Sequence, residues 1–226
     1  MTSVRIVAID GPSASGKSST AAEVASRLGL IHVDSGALYR ALAWVSQLEG
    51  SDDPALILRA AERIGLTLGS QGGALVVRAT GHDLEQALRT PAVSAGASRV
   101  AAHAVLRDWV NERLRAAVTA AGGAVVDGRD IGTVVFPQAQ LKLFLTASPE
   151  SRTWRRLLQQ GGAVDPVQLA SEAAALAERD ERDATRAVAP LRPAADAVQL
   201  DGTALSLDEQ VERIVAMARD RGLLGD

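Results

Sequence analysis

The sequence contains no cysteine, which excludes disulfide bonds and thiolate metal sites and is compatible with a reducing compartment. No apolar run approaches the roughly 20 residues that a membrane-spanning helix needs. The N-terminus lacks the basic segment and cleavage site of a secretory signal. The net charge is −3 and no basic tail is present, which disfavours a nucleic-acid partner. We therefore expect a cytoplasmic protein that binds neither membranes nor nucleic acids. We also expect a monomer, although none of these features bears on the oligomeric state.

Lysine is almost absent, since Lys17 and Lys142 are the only lysines among 24 basic residues. A lysine kept where arginine is otherwise used indicates a place that needs a compact ammonium on a flexible stem. Lys17 lies in a glycine-rich segment and fits this interpretation. Lys142 lies in the apolar run 141–145, where we expect no functional role.

The 226 residues are 47% hydrophobic, enough for one domain spanning residues 1–226. Nearly continuous apolar runs, typical of strands buried on both faces of a parallel sheet, occur at 4–9, 30–34, 123–127, 141–145 and 197–201. Helical segments lie between them, and the last begins with a capping box of Ser206 and Glu209. The pattern predicts an α/β fold with a five-stranded parallel sheet and helices on both faces.

Two segments interrupt this alternation. The connection from the second strand to the third is far longer than an ordinary crossover, and we expect an inserted subdomain over residues 36–100. Within it, 65–70 and 72–81 form a turn-linked pair that predicts a small antiparallel hairpin. A glycine-rich stretch at 159–166 lies between arginine-bearing helical segments. It predicts a short mobile lid over residues 154–169.

Residues 11–18, GPSASGKS, match the phosphate-binding pattern G-x-x-x-x-G-K-[ST] between a predicted strand and a predicted helix. Backbone N–H groups of such a loop surround phosphate oxygens, and the helix N-terminus adds its positive dipole. We expect Lys17 to reach the β- and γ-phosphates of ATP and Ser18 to bind Mg²⁺. The predicted ATP-binding residues of the loop are Gly11, Pro12, Ser13, Ala14, Ser15, Gly16, Lys17, Ser18 and Ser19.

Polar side chains follow the second and third predicted strands, at 34–40 and 127–130. In open α/β sheets ligands bind at the carboxyl ends of the strands, so these side chains are candidate acceptor ligands. They are Ser35, Tyr39, Arg40, Asp127, Arg129 and Asp130. We interpret Ser35 as the N-cap of a helix, which makes a second site favourable to anions.

Near the end of the chain, Arg179, Asp183 and Arg186 are spaced so that they share one face of a helix. Such a face is often only a ladder of solvated ion pairs. Together with Arg155, Arg156 and the arginines at the sheet edge, however, it predicts a cleft whose positive charges need several phosphates to neutralise them.

The kind of acceptor follows from what the site contains. An alcohol needs a carboxylate base to take its proton, whereas a phosphate acceptor is already an anionic nucleophile. Many arginines without an evident base favour transfer onto a phosphate. The chain also lacks the Asn-Lys-x-Asp signature by which GTPases recognise guanine, and the acidic pair with which ATPase motors activate water. Both absences favour a metabolite kinase over these two classes.

Several stretches together resemble the bacterial cytidylate kinases, in order and over nearly the whole chain. They are IDGPSASGKSSTA, DSGALYRALA, VVDGRDIGTVVFPQA, LKLFLTAS and ERDERDATRAVAPLRPAADA. The resemblance implies a nucleoside-monophosphate-kinase fold and transfer of the ATP γ-phosphate to CMP or dCMP with Mg²⁺. It also implies that the insertion is the subdomain that binds the monophosphate.

Carried over residue by residue, the resemblance implies four groups of site residues. Those holding the acceptor phosphate are Ser35, Arg40, Arg129 and Arg186. Arg179 and Asp183 would reach the ribose hydroxyls, and Ser98, Arg107 and Asp130 would read cytosine. Those acting at the transferring phosphoryl group are Lys17, Arg129, Arg155 and Arg186, with Arg155 and Arg156 as lid arginines on the ATP side.

The chain departs from the family pattern in the segment that would read the base. Ser98 and Arg107 are nine residues apart, which puts them on opposite faces of a straight helix. Both reach one base only if the helix breaks near His103, where the family often has a proline and this chain has Ala104. Leu114 also replaces a glutamine usual in the family.

Two alternatives to this function remain at the level of sequence. One is a kinase of another acceptor, such as UMP, AMP, shikimate or gluconate. The other is a switch or binding module in which bound nucleotide controls a partner. His32, His82 and His103 are scattered along the chain and are interpreted as single structural histidines, not as a metal site.

Overall fold

The computed structural model describes residues 4–159, 161 and 165–223. The strands in these residues are β1 (Arg5–Asp10), β2 (Ile31–Asp34), β3 (Thr67–Gln71), β4 (Ala74–Arg78), β5 (Gly123–Gly128), β6 (Leu141–Thr146) and β7 (Val198–Asp201). The α-helices are α1 (Lys17–Leu28), α2 (Ser35–Glu49), α3 (Pro54–Arg63), α4 (Pro91–Val100), α5 (Ala104–Ala120), α6 (Pro149–Gln159), α7 (Pro166–Thr185) and α8 (Leu207–Asp220). A 3₁₀ turn covers Ala87–Arg89, and a π-helical turn, called the π-turn below, covers Ile131–Val135.

The strands form one sheet in the order β3-β4-β2-β5-β1-β6-β7. The five strands predicted from the apolar runs are adjacent and parallel, which confirms the doubly wound core. The predicted size of the sheet was wrong, because the hairpin of β3 and β4 extends it to seven strands in the described part of the chain. β4 pairs in parallel with β2, and the His32 N–H donates to the Gly73 carbonyl at 3.0 Å. The edge of β2 thus gains a backbone partner.

The sheet is covered on both faces, which explains the continuous hydrophobicity of its central strands. Val125 packs with α1 and α8 on one face, and Val126 packs with α2, α4 and α5 on the other. Apolar residues of the 36–100 segment belong to the second of these cores. That segment therefore packs directly on the sheet that carries the phosphate loop.

The last helix follows the sequence closely. Ser206 accepts from the Glu209 backbone N–H, and Glu209 accepts from the Ser206 N–H, so the predicted capping box is present. Such reciprocal caps satisfy backbone donors that the first turn leaves unpaired. Among the described residues, no helix combines the length and the apolar character needed to cross a membrane.

Candidate active site

The phosphate loop joins the end of β1 to the start of α1. A side chain at Gly11 would put its Cβ 2.1 Å from the Leu145 carbonyl oxygen, so only glycine fits between the two strands. Gly16 has φ +94° directly before α1, a left-handed conformation that favours glycine. These two positions let the backbone turn sharply from β1 into α1.

Lys17 begins α1 and is buried. Its Nζ donates to the Pro12 carbonyl at 2.8 Å, so the ammonium lies across the loop. Burial, and next the positive charge of Arg129, lower the pKa of Lys17 to about 7. An anionic ligand in the loop would offset both effects and restore the charge.

Ser18 lies on the cleft side of the first turn of α1. Its Oγ donates to Asp127 Oδ2 at 2.6 Å. A hydroxyl oxygen and a carboxylate oxygen are the hard donors that Mg²⁺ prefers, with phosphate oxygens and water completing its shell. Among the described residues no group of three acidic or histidine side chains could hold a metal alone. The donors present therefore fit a Mg²⁺ that arrives with a nucleotide.

One cleft at the carboxyl edge of the sheet runs from the loop to α4 and α7. It is lined by all the residues predicted to bind the acceptor, namely Ser35, Tyr39, Arg40, Ser98, Arg107, Asp127, Arg129, Asp130, Arg179, Asp183 and Arg186. It is also lined by the loop residues Ser13, Ala14, Gly16, Lys17, Ser18 and Ser19. Folding thus joins elements that are distant in the sequence into one site.

Gly11, Pro12, Ser15 and Arg155 were also predicted at the nucleotide, but in the described structure they do not line this cleft. Arg155 donates instead to the carbonyl oxygens of Ser15 at 2.9 Å and Gly202 at 2.7 Å. Arg156 is the neighbouring arginine that lines the cleft. The expected position of Arg155 over the transferring group is therefore not the one it occupies here.

The helix does break between Ser98 and Arg107. α4 ends at Val100 and α5 begins at Ala104, with His103 extended at φ −85° and ψ 118° as its N-cap. With this change of direction, both Ser98 and Arg107 line the cleft. No proline is needed, because an extended residue at the cap ends the helical path by itself.

Asp130 lies between two arginines of the cleft. Its carboxylate is paired with Arg107 through Oδ2 and with Arg186 through Oδ1 at 3.4 Å. The Arg107 guanidinium also lies 5.4 Å from the centre of the Tyr39 ring, within the range of a cation–π contact. Every charge here is buried and has an opposite charge beside it, so the arrangement is costly to disturb.

Asp10, the last residue of β1, supports the segment that follows Asp130. Its two carboxylate oxygens accept from the backbone N–H groups of Ile131 and Gly132, each at 2.8 Å. Burial raises the pKa of Asp10 to about 6, although these two hydrogen bonds oppose the shift. Asp10 therefore anchors the start of the π-turn.

Arg129 and Asp183 connect the loop to α7. Arg129 donates to Ser13 Oγ and to Asp183 Oδ2, both at 2.9 Å. Ser98 Oγ donates to the other oxygen of Asp183 at 3.1 Å. Arg179, Asp183 and Arg186 were predicted to share one face of a helix. Arg179 and Asp183 do lie in α7, but Arg186 follows the end of this helix and has an extended backbone, so the prediction was correct only for the first two.

The prediction that Ser35 is an N-cap was wrong by one residue. Asp34 occupies the cap position, and Ser35 is the first residue of α2. Ser35 Oγ donates to the Asp127 carbonyl at 2.7 Å, while Asp34 accepts from Arg40 at 2.7 Å. Ser35 thus bonds to the neighbouring strand β5, whereas the partner of Asp34 lies in the helix that Asp34 precedes, and neither side chain makes a capping hydrogen bond.

Sequence reasoning missed Arg152 and Asp180. Asp180 Oδ1 accepts from the Ser13 N–H at 2.9 Å, and Arg152 donates to the Ser13 carbonyl at 3.1 Å. The two side chains are also paired with each other. Arg152 and Ser13 are 139 residues apart, so no local pattern could predict their contact. The sequence signal that pointed to this region was the number of arginines in α6.

A phosphate loop on a parallel sheet, facing an arginine-lined cleft, defines a P-loop kinase. The chain belongs to the cytidylate kinase family, whose model matches residues 7–220. These two findings confirm the fold class and the family resemblance.

Relatives match along the whole chain. A cytidylate kinase of Stutzerimonas stutzeri (strain A1501) is 47% identical, over 98% of this chain and 98% of that protein. Another, of Pseudomonas fluorescens (strain Pf0-1), is 45% identical over 97% of both chains. A bifunctional pantoate ligase/cytidylate kinase of Prochlorococcus marinus (strain MIT 9313) is 44% identical, over 95% of this chain and 43% of its own length. The crystal structure of TT1252 from Thermus thermophilus, 18% identical, has a similar fold, with a TM-score of 0.50 over 99% of this chain and 100% of that one.

Proposed function

We propose that this chain transfers the γ-phosphate of ATP to CMP or dCMP, giving ADP and CDP or dCDP. The observation that carries the proposal is a single cleft lined both by Lys17 and Ser18 of the loop and by the paired charges of Asp130 and Arg107. Family membership supports the same reaction. A monophosphate with its phosphate toward Lys17 would direct its base toward Asp130.

The base end favours cytosine on chemical grounds. Cytosine offers a 4-amino donor where uracil offers a carbonyl acceptor, and a carboxylate can only accept. Asp130 would accept from that amino group, while Arg107 and Ser98 would donate to the ring acceptors. Uracil would face Asp130 with an unpaired and repelled oxygen, which is a strong basis for discrimination.

The phosphate acceptor would be held by Ser35, Arg40, Arg129 and Arg186, and its ribose by Arg179 and Asp183. Burial, and then the nearby Arg129, lower the pKa of Arg179 to about 10. Among the described residues its Nε has no hydrogen-bond partner. Both observations support an anionic or hydroxyl-bearing ligand beside Arg179, since such a ligand would accept from that donor and favour the charged guanidinium.

Transfer would need no general base, because the acceptor oxygen is already anionic. The chain's own contribution is to bring two anions together: Lys17 on the transferring phosphoryl group, with Arg129 and Arg186 on the acceptor side. When bound with ATP through Ser18 and Asp127, Mg²⁺ would supply further neutralisation of phosphate charge. Arg155 would join them only after leaving the carbonyl oxygens of Ser15 and Gly202.

We also propose that residues 36–100 act as the monophosphate-binding subdomain and residues 154–169 as a lid. Arg156 and Gln159 of α6 line the cleft, which supports the lid, although residues 160 and 162–164 lie outside the described part of the chain. Closure would exclude water from the γ-phosphate. Hydrogen exchange should slow in both segments when an ATP analogue and CMP are added together. Unchanged exchange would contradict closure.

The proposed activity is tested by ADP release over a panel of acceptors: CMP, dCMP, UMP, AMP and shikimate. We expect rapid ADP release with CMP or dCMP, and a much lower kcat/KM with UMP and AMP. Strong stimulation by another acceptor would overturn the assignment to cytidine nucleotides. We further propose that the enzyme acts as a monomer in the cytoplasm, where ATP is available, and its mass in solution with both nucleotides tests the monomer.

A further inference from the structure

His32 has a partner that connects it to the phosphate loop. It lies in β2, two residues before Asp34, and its side chain is 15% exposed. Its Nε2 is 2.7 Å from Asp127 Oδ1. An ionised carboxylate only accepts, so Nε2–H is the donor. A residue interpreted from sequence as a lone structural histidine thus contacts a carboxylate of the candidate site.

The two oxygens of Asp127 have different partners. Oδ1 accepts from His32, and Oδ2 accepts from Ser18 Oγ at 2.6 Å. In the pairing of β2 with β5, Asp34 is opposite Asp127 and His32 is opposite Val125, so His32 and Asp127 are on the same face of the sheet. The chain His32–Asp127–Ser18 therefore joins β2, the end of β5 and the start of α1.

This arrangement restricts the Asp127 carboxylate. Its side chain is 2% exposed, so a rotation that loses either hydrogen bond leaves a buried oxygen without a partner. Among the described residues, His32 is the hydrogen-bond partner of Oδ1. As long as that bond is present, Oδ2 stays on the side of Ser18.

We infer that His32 is a positioning residue for the metal–nucleotide end of the site: by holding Oδ1 of Asp127, it keeps Oδ2 beside Ser18. The described contact of the His32 side chain with the candidate site is the one to Asp127, so its effect passes through that carboxylate. The inference rests on the proposed function only in taking ATP with Mg²⁺ as the ligand of the loop. Carboxylates near a metal depend on such outer partners, whose loss typically weakens metal affinity about 10–100-fold.

The test measures binding, not turnover. His32→Leu removes the donor, and His32→Gln keeps an N–H near the position of Nε2. Titration calorimetry gives the affinity for ADP with Mg²⁺, for ADP in EDTA and for CMP. We expect His32→Leu to weaken only the binding of ADP with Mg²⁺, about tenfold, and His32→Gln to restore most of the loss. His82→Leu is the control, since His82 packs against the Trp44 ring away from the cleft.

A purely structural role would give a different result. If His32→Leu weakened all three ligands equally, or weakened none, the inference would be overturned. If His32→Leu did not fold, His32→Asn, whose shorter amide does not reach Asp127, would replace it under the same criteria. Failure of the acceptor panel would overturn the proposed function but leave this binding comparison intact, because no acceptor is phosphorylated in it.

Discussion

The two ends of the cleft are built differently. At the phosphate end, one continuous segment, residues 11–18, supplies the loop backbone, Lys17 and Ser18. At the proposed base end, Ser98 and Arg107 come from α4 and α5, and Asp130 lies between β5 and the π-turn, so they line one cleft only in the folded chain. Backbone N–H groups bind any triphosphate, whereas paired side chains can reject a wrong base. On the proposed function, we expect the local segment to bind triphosphates in general and the assembled residues to select the base.

The ends also differ in how their charges are balanced. Lys17 has only the carbonyl of Pro12 as its hydrogen-bond partner among the described residues, and its pKa is lowered by burial and then by Arg129. Asp130 and Arg107 neutralise each other and are both buried. We therefore expect changes at the phosphate end to affect catalysis, and changes at the base end to affect both selectivity and stability.

The largest effect is expected for Lys17→Met, which keeps the aliphatic stem and removes the ammonium. Loss of a group that stabilises the transferring charge should lower kcat about a thousandfold for every acceptor. The unfolding midpoint should not fall. Lys142→Met is the matched control, because Lys142 pairs with Asp196 at 2.9 Å, away from the loop, and its kcat should stay near normal. A Lys17→Met enzyme with near-normal turnover would refute the role assigned to Lys17.

Asp130→Asn should have the next largest effect and act selectively. Its amide can donate to the uracil carbonyl but leaves Arg107 and Arg186 with a weaker partner. We expect kcat/KM for CMP to fall about 300-fold, the CMP/UMP ratio to narrow and the protein to lose stability. Steady-state kinetics with both acceptors measure this. Arg129→Ala, at the phosphate end, is the control and should lower kcat/KM for CMP and for UMP by the same factor. If Asp130→Asn also lowered both values by one factor, Asp130 would have no role in recognising the base.

Asp10 provides a test by pH. Its pKa is raised to about 6, mainly by burial, so it binds a proton more readily in the folded than in the unfolded chain. The stabilisation from that proton is complete below about pH 4 and is lost as the pH rises through about 6, a change on the order of 3 kcal/mol.

The measurement is the free energy of unfolding of wild type and Asp10→Asn from pH 4 to pH 7. Wild type should lose stability relative to Asp10→Asn over this range. The exposed Asp208→Asn controls for loss of one carboxylate. A difference between wild type and Asp10→Asn that does not vary with pH would contradict the raised pKa.

The smallest effect is expected for Ser98→Ala, which removes one hydrogen bond to Asp183. A loss of about 1 kcal/mol corresponds to a rise of about fivefold in KM for CMP, with KM for ATP unchanged. Ser94→Ala, one turn earlier in α4, is the control. An equal rise in KM for ATP would contradict the prediction that Ser98 affects the binding of CMP and not that of ATP.

Local patterns predicted much of this molecule. The five core strands and the capping box at Ser206 follow from contiguous apolar runs and from one four-residue motif, and all are present. The phosphate loop follows from eight consecutive residues. In each case the residues that determine the structure are neighbours in the chain, so their geometry depends little on the remainder of the fold.

The structure differs from the sequence-based predictions where residues far apart in the chain become hydrogen-bond partners. Ser35 donates to the Asp127 carbonyl instead of capping its own helix, and Arg155 donates to the carbonyl of Gly202. The β3–β4 hairpin was expected from its turn, but its pairing with β2 was not. A local capping preference is worth about 1 kcal/mol, whereas leaving a buried polar group without a partner costs about 1–3 kcal/mol, so a tertiary partner can prevail over a local one.

The sequence by itself determined that the chain binds a triphosphate in a loop between a strand and a helix, and its motifs determined the family. Only the tertiary structure decided that the helical path breaks at His103 between α4 and α5, with Ser98 and Arg107 in the lining of one cleft, and that Asp127 contacts both His32 and Ser18. The reason is physical: a loop of backbone N–H groups is encoded by consecutive residues, whereas a side-chain network depends on distances that exist only after the sheet and its helices have packed.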